Sequence, residues 1–290
     1  MNRSPLVLCA LLAACGAPST TIADAGEPSP HVHVHEPVTA LRFAAKVGTD
    51  HFACGSTYLL GTPHTQYQPR DLRFYVSELT LVTDEGTSVP FVLTADGAFQ
   101  DEGLALLDFE DGTGECANGT APTHTTLAGF APGDHYVALE FTVGVPFAQN
   151  HQDATAAPAP LNSTAMFWNW LGGYKFLRID GVTTGLPMGH NLHVGSTGCV
   201  AGATPNSVAS CSTPNRARIA LTGFEAATSV VTLDLAALFE GTNLDTNVAL
   251  SAPGCMSAGT DTDCAVPFAH LGLPFGVAAA VPQTAFTLSP

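Results

Sequence analysis

Leu72-Arg-Phe-Tyr-Val-Ser-Glu-Leu-Thr-Leu81 is the stretch of sequence that decides the fold class. Every second residue from Leu72 to Val76 is apolar, which predicts a β-strand with one face in a core. The apolar side chains then continue at Leu79 and Leu81, so the alternation changes phase near Ser77-Glu78. A β-bulge, which inserts one extra residue into a strand, produces such a phase change.

The same period-2 pattern recurs along the chain, most clearly from Val137 to Val145. The chain also contains 28 Gly and 21 Pro, which separate short apolar segments. Helix is expected only in short pieces, such as residues 234–240. We therefore predict an all-β fold, an antiparallel β-sandwich or barrel with long loops pinned by disulfides. Further strands are expected at residues 89–93, 174–179, 218–221 and 230–235.

Composition narrows the class of function. The chain has 290 residues, of which 12% are charged, and its formal net charge is −16. One domain with one sizeable core is the default at this length. Phosphate binding needs clustered Lys and Arg, so the sequence argues against a nucleic-acid partner.

The N-terminal residues predict export and a lipid anchor. A short apolar run ends in Leu12-Ala-Ala-Cys15, which resembles the bacterial lipoprotein box. Residues 1–14 are then a signal peptide, Cys15 carries the lipid, residues 15–40 form a flexible stalk, and residues 41–290 form the β domain. Gly16 after the cysteine favours an outer-membrane lipoprotein on the periplasmic face of the envelope, by analogy with well-studied envelopes. The alternative is an ordinary signal peptide in which Cys15 has no role.

Six cysteines remain in the expected domain, and none forms a Cys-x-x-Cys pair. An even number of cysteines in an exported chain predicts disulfides, although six allow 15 pairings. We favour Cys199–Cys211 and Cys255–Cys264, because each pair encloses a short polar loop. Cys54–Cys116 follows by elimination.

Histidine is the only residue type that points to chemistry on its own. The chain has 11 His against 9 Lys plus Arg, and His31, His33 and His35 alternate with Val in the stalk. Three imidazoles on one side of an extended chain can hold a divalent metal, although an adventitious polar patch is an equal alternative. Further along lie His151, His190 and His193. A lone histidine is more often a hydrogen-bonded structural residue than a ligand, and in a strand only one of His190 and His193 faces a given centre.

Both tryptophans of the chain lie in Met166-Phe-Trp-Asn-Trp-Leu-Gly-Gly-Tyr-Lys-Phe176. Core packing is the usual role of such aromatic clusters. Trp168 and Trp170 are two apart, so their rings share one side wherever the backbone is extended.

The order of motifs resembles the MbnP family, the methanobactin-associated proteins also described as the four-Cys half of the metallo-mystery pair. The resemblance spans about Leu41 to Leu273 and rests on several strings: Asp71-Leu-Arg-Phe-Tyr-Val-Ser77, Leu106-Leu-Asp-Phe109, Gly144-Val-Pro146, Asn150-His151, Pro160-Leu-Asn162, the Met166–Phe176 string, His193-Val-Gly-Ser-Thr-Gly-Cys199 and Pro214-Asn-Arg216. The six cysteines depart from the family description, and the His31–His35 pattern does not map onto it.

The resemblance implies a periplasmic protein that binds copper and is not an enzyme. It implies a partner, a di-haem cytochrome c peroxidase-like enzyme of the MbnH type, which oxidises a tryptophan to kynurenine before copper binds. Trp168 or Trp170 is then the modified residue. His151 and His193 are the candidate metal ligands, with His51 and Met166 as weaker candidates.

Two other functions remain open. A mononuclear copper or zinc enzyme could use the same histidines, with Asp153 as an acid or base near His151. A surface β-sandwich lipoprotein without metal is the third reading. The familiar hydrolase, P-loop, Rossmann and His-Glu-x-x-His patterns are absent from the sequence.

Overall fold

Two open β-sheets build the part of the chain that the structure describes. The structure is a computed structural model, and it describes residues 36–290 except Glu102, Asn118 and Asp134. The expectations for the signal peptide, for lipidated Cys15 and for His31, His33 and His35 lie outside the described residues. No helix within the described part is long and apolar enough to cross a bilayer.

The secondary structure of these residues is mostly extended. The strands are β1 Val38–Val47, β2 Asp50–His51, β3 Tyr58–Leu60, β4 Thr65–Thr83, β5 Ser88–Pro90, β6 Val92–Leu93, β7 Gln100–Asp101, β8 Leu104–Asp108, β9 Thr126–Ala131, β10 Tyr136–Val143, β11 Phe167–Asn169, β12 Gly173–Tyr174, β13 Leu177–Thr183, β14 His190–Val194, β15 Thr197–Ala201, β16 Val208–Thr213, β17 Ala217–Thr222, β18 Val230–Asp234, β19 Gly254–Cys255 and β20 Phe286–Ser289. The α-helices are α1 Phe147–Asn150, α2 Leu235–Leu238 and α3 Ala265–His270, and 3₁₀ turns lie at Gly114–Cys116, Thr164–Met166 and Thr262–Cys264.

The sheets form a sandwich. Among the described residues one sheet has six strands, ordered β20-β18-β1-β9-β6 with β2 beside β1, and the other has ten, with β17-β10-β4-β13-β14-β19 as its path. Neither path closes on itself, so of the two predicted architectures the sandwich is confirmed and the barrel is wrong. Most pairs are antiparallel as predicted, but β1 pairs with β18 and β14 with β19 in parallel. β1 begins at Val38, so residues 38–40, which we assigned to the stalk, belong to the sheet.

The main core lies between the two sheets. Phe43 of β1 meets Phe141 of β10 edge-on at 5.7 Å, and Phe286 of β20 contacts both Phe74 and Phe141. These rings are 5% exposed or less. Apolar burial across the two inner faces is the main source of stability for such a fold.

The bulge predicted in the decisive stretch is present in β4. Thr80 pairs with Glu140 and Ser77 with Thr142, so one extra residue of β4 lies opposite β10. Glu78 at this point has φ +56°, in the left-handed region. The bulge keeps Leu79 and Leu81 on the same inner face as the apolar residues that precede it, and this explains the phase change in the sequence. The predicted short helix is α2, where the Asp234 carboxylate caps the helix by accepting from the Ala236 amide.

The outer face of the ten-stranded sheet carries a second, smaller core. Tyr75 of β4 and Leu106 of β8 point to this face and pack with Met166, Tyr174 and Phe176. The segment 145–176 covers the face, and the Tyr75 hydroxyl donates to the Pro160 carbonyl at 3.0 Å. This covered outer face is where the candidate site lies.

Three disulfides pin the loops. Cys54–Cys116, Cys199–Cys211 and Cys255–Cys264 are bonded, which confirms the favoured pairing. Disulfides are typical of proteins outside the cytoplasm.

Candidate metal centre

A two-stranded hairpin presents the tryptophans. Strands β11 and β12 pair, and the Asn169 side-chain oxygen accepts from the amides of Leu171 and Gly172 at 3.0 and 2.8 Å, which forms the turn. Trp168 lies on β11 and is half-buried. Trp170 lies in the turn and is 37% exposed. The extended backbone therefore ends before Trp170, and the alternation argument does not apply to this pair.

His193 of β14 lies beside the first tryptophan. Its ring centroid is 6.4 Å from that of Trp168. Its Nε2 donates to the Asp180 carboxylate at 2.5 Å, while its Nδ1 is buried and has no hydrogen-bond partner. Burial lowers the pKa of His193 below its usual value despite the opposing effect of Asp180, which favours the neutral ring. With the proton on Nε2, the lone pair is on Nδ1.

A chain of alternating charges holds the Asp180 carboxylate in place. Arg178 bonds Asp180 through Nε at 2.8 Å and also contacts Asp71 at 3.1 Å. Asp71 in turn pairs with buried Arg73, which lies 3.8 Å from Glu110. The strand register explains the cluster, because Arg73 lies opposite Arg178 on β13, and Arg178 lies opposite His193 on β14. Burial by itself would raise the pKa of Asp180, but the hydrogen bonds from His193 and Arg178 and the charge of Arg178 outweigh it and lower this pKa to about 2.

Close packing fixes Trp168 against β14. A Cβ atom at Gly195 would lie 2.5 Å from Trp168 Cζ3 and 2.7 Å from the Tyr174 carbonyl oxygen, so only glycine fits there. Ser257 holds the same strand from the other side, because its hydroxyl donates to the His193 carbonyl at 2.8 Å and accepts from the Gly195 amide at 3.0 Å.

A cavity of about 470 Å³ opens beside Trp168. Its wall includes Cys199 and the thioether side chain of Met256. Sequence reasoning missed Met256, Asp180 and Ser257, because each meets the site from a strand or loop that is distant in sequence. The one available signal was Asp180 itself, a carboxylate on the polar side of an alternating strand.

His151 lies on the other side of the hairpin. Its Nδ1 is 3.1 Å from the Trp170 carbonyl oxygen, an acceptor, so Nδ1 carries the proton. Its Nε2 is 3.2 Å from the Asn150 amide nitrogen and 3.6 Å from Cys211 Sγ. Burial lowers the pKa of His151 below its usual value, which favours the neutral ring. The structure thus places His193 at Trp168 and His151 at Trp170.

The remaining candidates lie elsewhere. His51 is exposed on β2, at the edge of the six-stranded sheet. Met166 is fully buried within the small apolar core. His190 points to the opposite face from His193, with its ring edge-on to Phe239, and burial lowers its pKa to about 4. Asp153 is exposed, and its carboxylate accepts from the amide and hydroxyl of Thr155.

The donor set at Trp168 fits copper. A neutral imidazole whose second nitrogen donates to a carboxylate is the usual arrangement of a metal-bound histidine. The unpartnered Nδ1 of His193 is the nitrogen that would bind. Met256 lines the cavity on which Trp168 also lies and offers a soft thioether there. Imidazole and thioether both suit copper.

Comparisons with known proteins agree on one family. The MbnP family model matches residues 36–257. The solved structure of MbnP from Methylosinus trichosporium is similar to this chain with 31% sequence identity and a TM-score of 0.76, and the match covers 88% of this chain and 98% of that one. No curated protein matches the chain. The family model includes the hairpin and most strands of both sheets, and the chain belongs to the MbnP family.

Proposed function

We propose that the protein is a copper-binding protein, not an enzyme, and that its copper site forms at Trp168 and His193 after Trp168 has been oxidised to kynurenine. The observation that carries the proposal is the buried, unpartnered Nδ1 of His193, oriented by Asp180 and next to the Trp168 ring. Membership of a methanobactin-associated family supports copper as the metal. Copper also stands highest in the affinity order of divalent metals for nitrogen ligands.

Oxidation of Trp168 explains how a poor site becomes a good one. The intact indole nitrogen carries a proton and donates only, so it cannot bind a metal. Oxidation by the haem partner breaks the C2–C3 bond of the indole and places one oxygen atom on each carbon, and hydrolysis then releases C2 as formate. An aryl amine and a ketone carbonyl remain in place of the pyrrole ring. Both groups have lone pairs, and His193 is already positioned at that ring. Bound copper would be held by these groups and could be passed on as cargo.

Trp168 is the better of the two candidates for modification. Its ring packs against Gly195 and His193, whereas the contact of Trp170 with a candidate ligand is made by its backbone carbonyl. A new amine on Trp168 therefore forms close to the His193 ring, whose centroid is 6.4 Å from that of Trp168. His151 is retained as a second candidate ligand, to be tested by substitution.

The oxidant in this proposal is a di-haem cytochrome c peroxidase-like partner of the MbnH type. In this proposal the chain is the substrate of that partner, and Trp168 is the residue that the partner oxidises. We also propose that the protein is exported and carries a lipid on Cys15. This lipid would anchor it at the periplasmic face of the outer membrane. The N-terminal mass of protein from its native host tests that anchor, and an unmodified terminus downstream of Cys15 would refute it.

A metal enzyme using the same histidines is the second candidate, and the structure favours it less. Asp153, the proposed acid or base, bonds to Thr155 in its own loop. The carboxylate that bonds to His193 is Asp180, and it is held at Nε2 rather than at Nδ1. A surface protein without metal leaves that unpartnered nitrogen unexplained.

Paired tryptophan variants test the proposal. The wild-type chain, Trp168→Phe and Trp170→Phe are each produced with the haem partner, and bound copper is counted after dialysis. We expect one tight copper in the wild type and in Trp170→Phe, and none in Trp168→Phe. His193→Ala should also lose it. A tight copper in Trp168→Phe would contradict the proposal.

A further inference from the structure

The Cys199–Cys211 disulfide lies close to His151. The copper site proposed at Trp168 and His193 uses neither of these cysteines. The two cysteines face each other across β15 and β16, which form their own small hairpin. One ligand atom from each of His151, Cys199 and Cys211 lies within 4.8 Å of the others. As a disulfide, the sulfurs carry no thiolate charge and are poor ligands.

We propose that reduction of this disulfide creates a second metal site, in which Cys199, Cys211 and His151 bind one Cu(I) ion. Reduction converts the bonded pair into two thiols while an external dithiol becomes a disulfide. Binding of Cu(I) then releases two protons and leaves two sulfur ligands and one nitrogen. Soft thiolates select Cu(I), and the three residues that would hold the ion already lie together.

The histidine is oriented for this role. Its Nδ1 donates to the Trp170 carbonyl at 3.1 Å, so its Nε2 presents the lone pair, and Nε2 is the nitrogen that lies 3.6 Å from Cys211 Sγ. A backbone carbonyl holding the far nitrogen is a common second-shell partner of a ligating histidine. The Asn150 amide, 3.2 Å from Nε2, is the group that a metal ion would displace.

Access distinguishes this disulfide from the other two. Cys199 and Cys211 are both partly exposed. In contrast, Cys116, Cys255 and Cys264 are 1% exposed or less, so each of the other disulfides has at least one buried sulfur. A reductant must reach a sulfur atom to attack it, and of the three disulfides only Cys199–Cys211 has two partly exposed cysteines. We therefore expect this disulfide to open first under mild conditions.

The test uses the full chain produced without an oxidising partner, so that the Trp168 site is not formed. The protein is reduced mildly with a phosphine under anaerobic conditions, desalted, and titrated with Cu(I) against a chromophoric competitor. We expect two free thiols, mapped by alkylation to Cys199 and Cys211, and one more tight Cu(I) than in the oxidised protein. Sulfur-to-copper absorption should appear in the near ultraviolet, and bound Cu(I) should protect both thiols from alkylation.

Three variants make the result specific. Cys199→Ala/Cys211→Ala should lose the added Cu(I), and His151→Ala, which keeps the disulfide and therefore the fold, should weaken it by at least about tenfold. His64→Ala, at an exposed histidine outside the site, should bind like the wild type. The proposal is overturned if the reduced wild type takes up no added Cu(I), if His151→Ala binds as tightly, or if a buried disulfide opens first. Tight copper in the chain with its disulfides intact and its tryptophans unmodified would instead refute the kynurenine proposal. That result would not contradict the proposal of a Cu(I) site at the reduced cysteines.

Discussion

His193 has two ring nitrogens in different surroundings, and that difference is the basis of the proposed site. Nε2 donates to Asp180, and Nδ1 is buried without a partner. A buried polar atom without a hydrogen bond is costly, so such atoms in a native fold call for an explanation. In the proposed function, a metal ion bound to Nδ1 supplies that explanation.

Removing the charge of the orienting carboxylate tests this explanation. Asp180→Asn should lower the copper affinity of the processed protein by about 10–100-fold, because an outer-shell carboxylate fixes the tautomer and raises the basicity of its histidine. Competition titration measures the affinity. Asp153→Asn, at an exposed carboxylate bonded to Thr155, is the control and should bind normally. An unchanged affinity in Asp180→Asn would refute the orienting role.

Asp108 predicts a dependence of stability on pH. Burial raises the pKa of Asp108 to about 7, although the positive charge of Arg73 acts in the opposite direction and lowers this pKa. The unfolded chain ionises near the ordinary pKa of 3.8, so between that value and about 7 the folded state holds the extra proton, and stability falls as the pH rises. The loss is on the order of a few kcal/mol.

Urea unfolding at pH 5 and pH 8 measures this effect. In the wild type the Glu110 amide donates to the Asp108 carboxylate at 3.1 Å. Asp108→Asn removes the ionisation but keeps an oxygen that can accept this hydrogen bond. The variant should therefore lose less stability than the wild type between the two pH values. An equal loss in both proteins would show that Asp108 does not titrate in this range.

Single residues were the hardest part of the site to predict. His193 and Trp168 could be predicted as site residues, because each lies within a stretch of sequence that resembles the MbnP family. Asp180, Met256 and Ser257 could not be predicted as site residues. Strand register and loop packing bring them to the site, and neither can be read from the local sequence. Which tryptophan meets His193 depended on Asn169, whose side chain ends the strand one residue before Trp170.

At the scale of elements, the hairpin that carries Trp168 depends on close contact with β14. Gly195→Ala should displace the indole, because the new methyl group would lie 2.5 Å from Trp168 Cζ3. We expect a loss of about 1–3 kcal/mol in unfolding free energy and a change in tryptophan fluorescence. Gly259→Ala is the matched control, since a Cβ there meets nothing within 4 Å. Wild-type stability and fluorescence in Gly195→Ala would contradict the packing described here.

The strands were more predictable than the hairpin. Alternation alone indicated β4, its bulge and β10, because one face of each strand is buried in the main core. The residues of β4 that point to the outer face are mostly polar. Their sequence pattern therefore gave no indication that another segment of the chain covers this face. That cover, residues 145–176, has little regular structure, and its position follows from side-chain bonds such as Tyr75 to Pro160.

At the scale of the whole described molecule, apolar contact between the two large sheets holds residues 36–290 together. Phe141→Ala should cost about 3–5 kcal/mol, because the ring is 1% exposed and contacts Phe43 and Phe286. Phe130→Ala, at a ring that is 51% exposed on β9, should change stability by at most about 0.5 kcal/mol. Chemical denaturation compares the two. Equal effects would contradict the sandwich core.

Fold class, disulfide pairing and family followed from the sequence, because each has a signal in spacing or in a long motif. The choice between sandwich and barrel did not, since it depends on whether the edges of the sheets meet. The parallel pairing of β1 with β18 is another long-range result, joining residues that are far apart in the chain.

The most direct test of the central claim follows oxidation and copper in the same samples. Protein is exposed to the haem partner for increasing times, the oxidised fraction of the peptide spanning residues 166–176 is measured by mass spectrometry, and tightly bound copper is counted in each sample. We expect copper per chain to rise in proportion to oxidation at Trp168, from none in the unprocessed protein to one in the fully processed protein. Tight copper in the unprocessed chain, or full oxidation at Trp168 without copper, would contradict the account.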